Sequence, residues 1–227
     1  MKALNLFPLT IAQDIIVIDE HERTILINEI EKMQSTNEKT NKSIYAWTGD
    51  TKGYEFIFSN NIFKNLSKQI STSIIKYLEL FEINTDLLDI FYQRSWATYT
   101  NNEENINFHT HSQSNISFAY YLLKPNNSGG IIFRSNELQN EIAKNIFTNS
   151  KLEKSLINKA NPYNSDRSMF DLDQDSIIVF PSKTPHATVP NKSNEPRISI
   201  SGDISIMLKD SKGFEHLMPN FSNWTKF

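Results

Sequence analysis

Apolar residues recur along this chain with two different periods, and the change from one to the other falls near Leu88. In the N-terminal part the spacing is helical. Leu26, Ile30 and Met33 recur at steps of four and three behind Asp19, a residue suited to an N-cap. A longer stripe, Ile62, Leu66, Ile70, Ile74, Leu78 and Phe81, predicts a second amphipathic helix. Both stripes read as core-facing and carry no chemistry, and the polar stretch from Ser35 to Lys42 reads as a loop. From Leu88 onward, short segments rich in aromatic and β-branched residues alternate with turn residues. Strands are predicted at Ile90–Tyr99, Ile116–Leu123, Gly130–Phe133, Ser176–Phe180 and Arg197–Leu208. Turns include Pro125-Asn126-Asn127-Ser128-Gly129 and Pro190-Asn191-Lys192-Ser193-Asn194. Between them, Glu137 to Ala160 reads as a helical insertion carrying Ile142, Ile146, Leu152 and Leu156. The expectation is one folded unit, mostly β with N-terminal helices: a helical elaboration over 1–87 and a sandwich or small barrel over 88–227, interrupted near 137–160.

Composition narrows the function classes. The chain has 227 residues, 38% hydrophobic and 22% charged, which suits a globular domain. No apolar run approaches the length of about 18 residues that a membrane span needs. Met1 to Pro8 lacks the apolar core of an export signal, so a cytoplasmic location without membrane association is expected. The formal net charge is −3 and the cations are scattered, so no nucleic-acid partner is expected. The absence of cysteine excludes disulfides, a thiolate nucleophile and a zinc–cysteine site. The chain is rich in Ile, Asn and Lys, so its many asparagines carry little signal.

Histidines are scarce, which makes their placement informative: His21, His109, His111, His186 and His216. On a strand, residues i and i+2 share a face, so His109 and His111 can converge on one metal ion. Neutral imidazole is a common ligand for iron, zinc, copper and nickel. His186 is the best third ligand, since it opens a strand after Ile177-Ile178-Val179-Phe180 and the turn Pro181 to Pro185. An HxH pair alone is a weak signal, and His21 and His216 have no partner at ligand spacing. The segment Arg197 to Ile206 adds weight because it alternates strictly, with Arg, Ser, Ser, Asp and Ser on one face. That face either meets solvent or lines an interior pocket. In a pocket, a guanidinium and a hydroxyl two residues apart suit a carboxylate clamp.

In order along the chain stand Tyr99, His109-Thr110-His111, Tyr120-Tyr121-Leu122, Ser128-Gly129-Gly130, Ile178-Val179-Phe180-Pro181, His186 and Arg197-Ile198-Ser199. This ordered set resembles the iron(II)- and 2-oxoglutarate-dependent oxygenases, in particular their prolyl-hydroxylase-like branch. The N-terminal half, with Leu6-Phe7-Pro8, two helices and Ser95-Trp96, is similar to oxygenases of bacterial and phage type. The resemblance implies a double-stranded β-helix, a cupin-like jelly roll. It implies Fe(2+), 2-oxoglutarate and O2 as cofactors, with ascorbate in support, and hydroxylation of a C–H bond with release of succinate and CO2. By matching positions, His109 and His186 are metal ligands. Arg197 and Ser199 hold the distal carboxylate of 2-oxoglutarate with Tyr121, and Tyr99 stands nearer its chelating end. Tyr120, one step out of phase, is expected to pack on the other side. A peptide, prolyl or other small-molecule substrate is the implied partner, and neither the substrate nor the oligomeric state is legible.

His111 departs from the pattern, because the usual set is two histidines and a carboxylate. Three readings follow: His111 ligates in a neutral triad, stands back and leaves a position open as in halide-transferring relatives, or marks a lost activity. We take the first. Two rivals remain for the whole chain. Oxygenases acting on alkylated nucleobases carry a second arginine six residues after the first, where this chain has Asp203. A non-catalytic jelly roll that binds a metal or small acid fits the same motifs. The run Asp171, Asp173 and Asp175 reads as a solvated turn. Trp47, Trp96 and Trp224 are candidates for a pocket floor, and the insertion is a candidate lid.

Overall fold

A computed structural model describes residues 1–36, 44–135, 137, 139–214 and 217–227. Residues 37–42 of the expected loop, and His216, lie outside the described residues. The two helical stripes form α1 (Glu20–Ser35) and α2 (Lys64–Glu79). Asp19 caps α1 by accepting from the Glu22 amide at 2.8 Å. Leu66, Ile70, Ile74 and Leu78 are buried along α2, whereas Ile62 is exposed before the helix begins.

The strands are β1 (Ala12–Ile15), β2 (Trp47–Thr48), β3 (Leu88–Thr100), β4 (Ile116–Leu123), β5 (Ile131–Arg134), β6 (Arg167–Phe170), β7 (Ser176–Pro181), β8 (His186–Thr188) and β9 (Arg197–Leu208). They form a six-stranded sheet in the order β1-β7-β4-β9-β3-β2 and a three-stranded sheet in the order β6-β5-β8. Every pairing within the two sheets is antiparallel. The architecture is the mostly β double-stranded β-helix that the motifs implied. Both edges of the larger sheet, β1 and β2, come from the N-terminal part. They escape a sequence reading because four and two residues are too few to display a period.

Period-two alternation gives the larger sheet two unlike faces. Ala97 of β3, Phe118, Tyr120 and Leu122 of β4, and Ile198, Ile200 and Ile204 of β9 join the helix residues Leu26, Ile30, Leu66, Ile70 and Ile74 in one core cluster. The inner face, which looks toward the smaller sheet, carries Trp96, Thr98, Ser117, Ala119, Tyr121, Arg197, Ser199 and Ser201. A buried knot fastens the helices to the outer side. The Arg23 guanidinium donates to Leu122 O at 2.7 Å and to Asp175 at 2.9 and 3.0 Å. Tyr120 OH donates to Asp175 at 2.8 Å. Asp175 is therefore not a solvated turn residue. Its φ of 68° aims the carboxylate at Arg23, and a single buried ion needs such a partner.

The insertion differs from expectation. Among its described residues only Asn149–Glu153 is α-helix (α3), and Ile142 and Leu156 are 87% and 59% exposed. Its apolar positions have no sheet face to cover, and its asparagines and serines favour turns over helix interiors. Without burial of an apolar stripe a helix of this composition is marginal.

The Ser128-Gly129-Gly130 motif has a steric basis. Gly129 adopts a φ of +75°, and a Cβ on Gly130 would lie 2.1 Å from the Phe170 carbonyl oxygen. Gly130→Ala is expected to destabilise by about 1–3 kcal/mol or more, because the obstacle is backbone. At roughly 2–4 °C per kcal/mol for a chain of this size, differential scanning calorimetry will read that as a lowered Tm.

Candidate metal centre

The turn Pro181–Pro185 returns the chain from β7 to β8, and β8 meets the segment carrying the HxH pair. The two backbones form one antiparallel bridge: His109 N donates to His186 O and His186 N to His109 O, both at 3.0 Å. His111 N donates to Ser182 O at 3.0 Å. Pairing is confined to this bridge, so residues 109–111 are not a full strand, yet both imidazoles point the same way. Ring centroids are 4.3 Å apart for His109 and His186, 5.0 Å for His109 and His111, and 5.2 Å for His111 and His186. One ligand nitrogen from each lies within 4.8 Å of the others.

The far side of each ring decides which nitrogen faces the centre. His109 Nδ1 sits 2.8 Å from Asn107 O, and His186 Nδ1 sits 2.9 Å from Thr184 O. A carbonyl only accepts, so Nδ1 carries the proton and Nε2 is left with a free lone pair. Burial lowers the pKa of both rings, and proximity of the other imidazoles adds to it; His186 is pulled down to about 3. Both are therefore neutral near pH 7, the form that binds metal. Phe180 packs edge-on to His186 at 4.7 Å, and Trp96 stacks on His111 at 5.6 Å and 17°.

His111 has a different backing. Its Nδ1 lies 2.6 Å from Asp203 Oδ1, and Asp203 is 0% exposed. Strand register explains the meeting: Asp203 of β9 is paired with Arg94 on β3 and with Ser117 on β4. Arg94 donates to Asp203 Oδ2 through Nε at 3.1 Å and Nη2 at 2.5 Å, and Ser117 Oγ donates to Oδ1 at 2.9 Å. Burial pushes the Asp203 pKa up, but the contacts from His111, Arg94 and Ser117 outweigh it and hold the carboxyl below its ordinary value. The alternation already puts Asp203 on the polar face with Arg197, Ser199 and Ser201, but gives it no role; its contact with His111 comes from strands that meet only in the fold.

Six residues from Asp203 on the same face, Arg197 is 2% exposed. Its Nη1 donates to Ser128 O and, at 3.3 Å, to Val189 O, while Nη2 is buried without a hydrogen-bond partner. Burial lowers its pKa, with Tyr121 and Asp171 partly offsetting. Tyr121 is 2% exposed, and burial pushes its phenol up to about 12, so it stays a neutral donor. Ser199 is paired with both Thr98 and Tyr121 and lines the same space. Tyr99 does not. It lies one residue out of phase with Trp96 and Thr98, packs in the helix-side cluster, and has its pKa raised by burial and by Glu31 of α1. A single step along a strand reverses the face, which is why motif order alone misplaced it.

These residues line one cavity of about 990 Å³. Trp47, Asp50, Asn101, Glu104 and Asn105 stand at its wall, so segments 47–52 and 101–107 border it. No described residue of 137–166 lines it, so the insertion does not roof it, and Trp224 is exposed in the C-terminal tail. His21 is exposed at the start of α1. A metal fits the donor set present. Neither ring nitrogen of His111 makes a hydrogen bond of full geometry: Nδ1 has its 2.6 Å contact with Asp203, and Nε2 is buried with no partner, free to meet a metal. A dianionic keto acid likewise fits the unpaired Nη2 of Arg197.

Known proteins agree with this geometry. Residues 94–203 match the family described as "Putative 2OG-Fe(II) oxygenase". Among solved structures, HygX from Streptomyces hygroscopicus with nickel, 2-oxoglutarate and hygromycin B bound is similar at a TM-score of 0.55 and 9% identity, over 93% of this chain and 91% of that one. A prolyl-4-hydroxylase from Pseudomonas putida is similar at 0.51 and 12%, over 87% and 93%. The viral collagen prolyl hydroxylase of Paramecium Bursaria Chlorella virus-1, in a 2-oxoglutarate complex, is similar at 0.50 and 12%, over 86% and 94%. No curated protein matches the sequence. At such identities the structures speak for the fold alone, while the family match spans HxH, His186, Arg197 and Asp203 together. Residues 94–203, just under half of the chain, are thus those of a 2OG-Fe(II) oxygenase by family match, and the whole chain has the fold of the solved 2-oxoglutarate oxygenases.

Proposed function

We propose that the protein is a hydroxylase whose Fe(2+) is held by Nε2 of His109, His111 and His186, and whose 2-oxoglutarate is anchored by Arg197. The carrying observation is the pairing of three convergent imidazoles with a buried guanidinium that has one unsatisfied donor edge. Iron(II) with 2-oxoglutarate and O2 supplies, when bound, the oxidising power that turns a C–H into a C–OH while the keto acid leaves as succinate and CO2. The chain's own residues bind, orient and exclude water. Arg197 takes the distal carboxylate, with Tyr121 OH and Ser199 Oγ as further donors on the same face. The carbonyls of Asn107 and Thr184 fix the tautomers of two ligands, and Phe180 and Trp96 fix ring planes. No side chain has to act as a general acid or base.

The substrate is a peptide, prolyl or other small molecule presenting a C–H bond to the centre. The cavity, about 990 Å³, has room for the keto acid and a modest organic substrate together. Hygromycin B in HygX and the prolyl hydroxylases among similar folds support that class. No helix among the described residues is long and apolar enough to cross a membrane.

Succinate formed from 2-oxoglutarate under air, with iron(II) and ascorbate and no added substrate, tests the reading. Slow wild-type turnover is expected, and His186→Ala should lose it by a factor on the order of 100 or more, beyond what outer-shell changes cost. Wild-type protein that makes no succinate, while binding iron and 2-oxoglutarate, would favour the non-catalytic jelly roll. Arg197→Gln should raise the Kd for 2-oxoglutarate about 100-fold by isothermal titration, as expected when one side of a buried charge pair is removed. Its ligand-free Tm should equal or exceed the wild type, because an unpaired buried charge is removed. A lowered ligand-free Tm together with unchanged 2-oxoglutarate affinity would show that Arg197 serves the fold instead.

A further inference from the structure

Resting on that ligand assignment, we propose that Asp203 is a positioning residue which supplies, through His111, the negative charge that a carboxylate ligand provides in the usual two-histidine set. Three neutral imidazoles leave a bound dication uncompensated at its protein side. The three rings are not backed alike. His109 and His186 hold their Nδ1 against neutral backbone carbonyls, and only His111 holds it against a carboxylate, at 2.6 Å. The histidine in the carboxylate's slot is therefore the one that brings a carboxylate with it.

Asp203 is also built to stay in place. It is fully buried on β9, and each of its oxygens has a partner from a different neighbouring strand. Ser117 Oγ, which shares a 2.8 Å hydrogen bond with Ser182 Oγ, holds Oδ1 next to the imidazole. Arg94 holds Oδ2, lies 3.7 Å from Asp50 and covers Trp96 at 5.2 Å. Trp96 in turn stacks on His111. The imidazole is thus fixed in its plane by the indole and along its edge by Asp203. A carboxylate hydrogen-bonded to the remote N–H of a ligating imidazole raises the ligand's basicity and fixes its direction. Arg94 works against part of this charge, but its side chain is 39% exposed and screened by water, whereas that of Asp203 is 1% exposed.

The test measures iron(II) alone, anaerobically, with full-length protein. Asp203→Asn is expected to weaken iron(II) binding about 10–100-fold and to raise the Fe(III)/Fe(II) reduction potential, with an apo circular-dichroism spectrum like the wild type. The effect must run through His111. In a His111→Ala background, Asp203→Asn should change the Kd by less than about twofold, a non-additivity that independent structural damage does not produce. In a His111→Asp background, where two carboxylates would face each other, the same change should tighten binding. Wild-type affinity and potential in Asp203→Asn, or the same fold-change with and without His111, overturns the proposal. If Asp203→Asn does not fold, Ser117→Ala keeps the charge but loosens Oδ1. It is expected to weaken binding severalfold only while His111 is present, and unchanged binding there overturns the proposal too. Should wild-type protein bind no iron(II) that depends on His186, the ligand assignment itself fails, a result distinct from either.

Discussion

Strand β9 cannot be moved by one residue without destroying both halves of this molecule. Its apolar phase, Ile198, Ile200 and Ile204, completes the core beneath α1 and α2. Its polar phase delivers Arg197, Ser199, Ser201 and Asp203 to the inside. Pairing with β3 on one side and β4 on the other fixes that phase over the whole length of the strand. A slip of one residue would expose the isoleucines to the cavity and drive an arginine and an aspartate into the helix-side core. Hydrophobic burial against the helices is therefore what holds the centre's register, although no helix residue is a candidate ligand.

The same constraint decides how much the sequence could tell. β4 and β9 coincide with their predicted ranges, and β3 and β7 differ by one or two residues at an end, because β9 alternates and the others are dense in aromatic and β-branched residues between turn signals. His109, His111 and His186 were legible through rarity and spacing, and Arg197 through its strict alternation with isoleucine. Tyr99 was misplaced because motif order says nothing about which face a residue takes, and a bulge between Tyr92 and Arg94 interrupts the phase of β3. The partnership of Asp203 with His111 depends on two strands that meet only in three dimensions, and so does that of Asp175 with Arg23. The insertion failed for the opposite reason: its apolar residues suggested a helix, but the fold offers them nothing to cover.

Some polar groups of the scaffold are well satisfied, as with Asp175 between Arg23 and Tyr120. At the centre His111 Nε2 and Arg197 Nη2 have no hydrogen-bond partner although both are buried, as is also true of scaffold atoms such as Thr100 Oγ1 and Thr184 Oγ1. Unsatisfied buried groups are costly, and at the centre a ligand that pairs with His111 Nε2 and Arg197 Nη2 would offset that cost. The stability of the chain and its affinity for ligands are thus coupled through two atoms.

The reciprocal backbone bridge between His109 and His186 has a consequence of its own. Two candidate ligands far apart in sequence are clamped together by amide groups, with no ion needed to bring them there. With that pairing set by the backbone, loading and unloading of an ion would be local, reversible events. A template braced in this way would sort ions by size and preferred geometry, since it has little freedom to reshape itself around a poor fit.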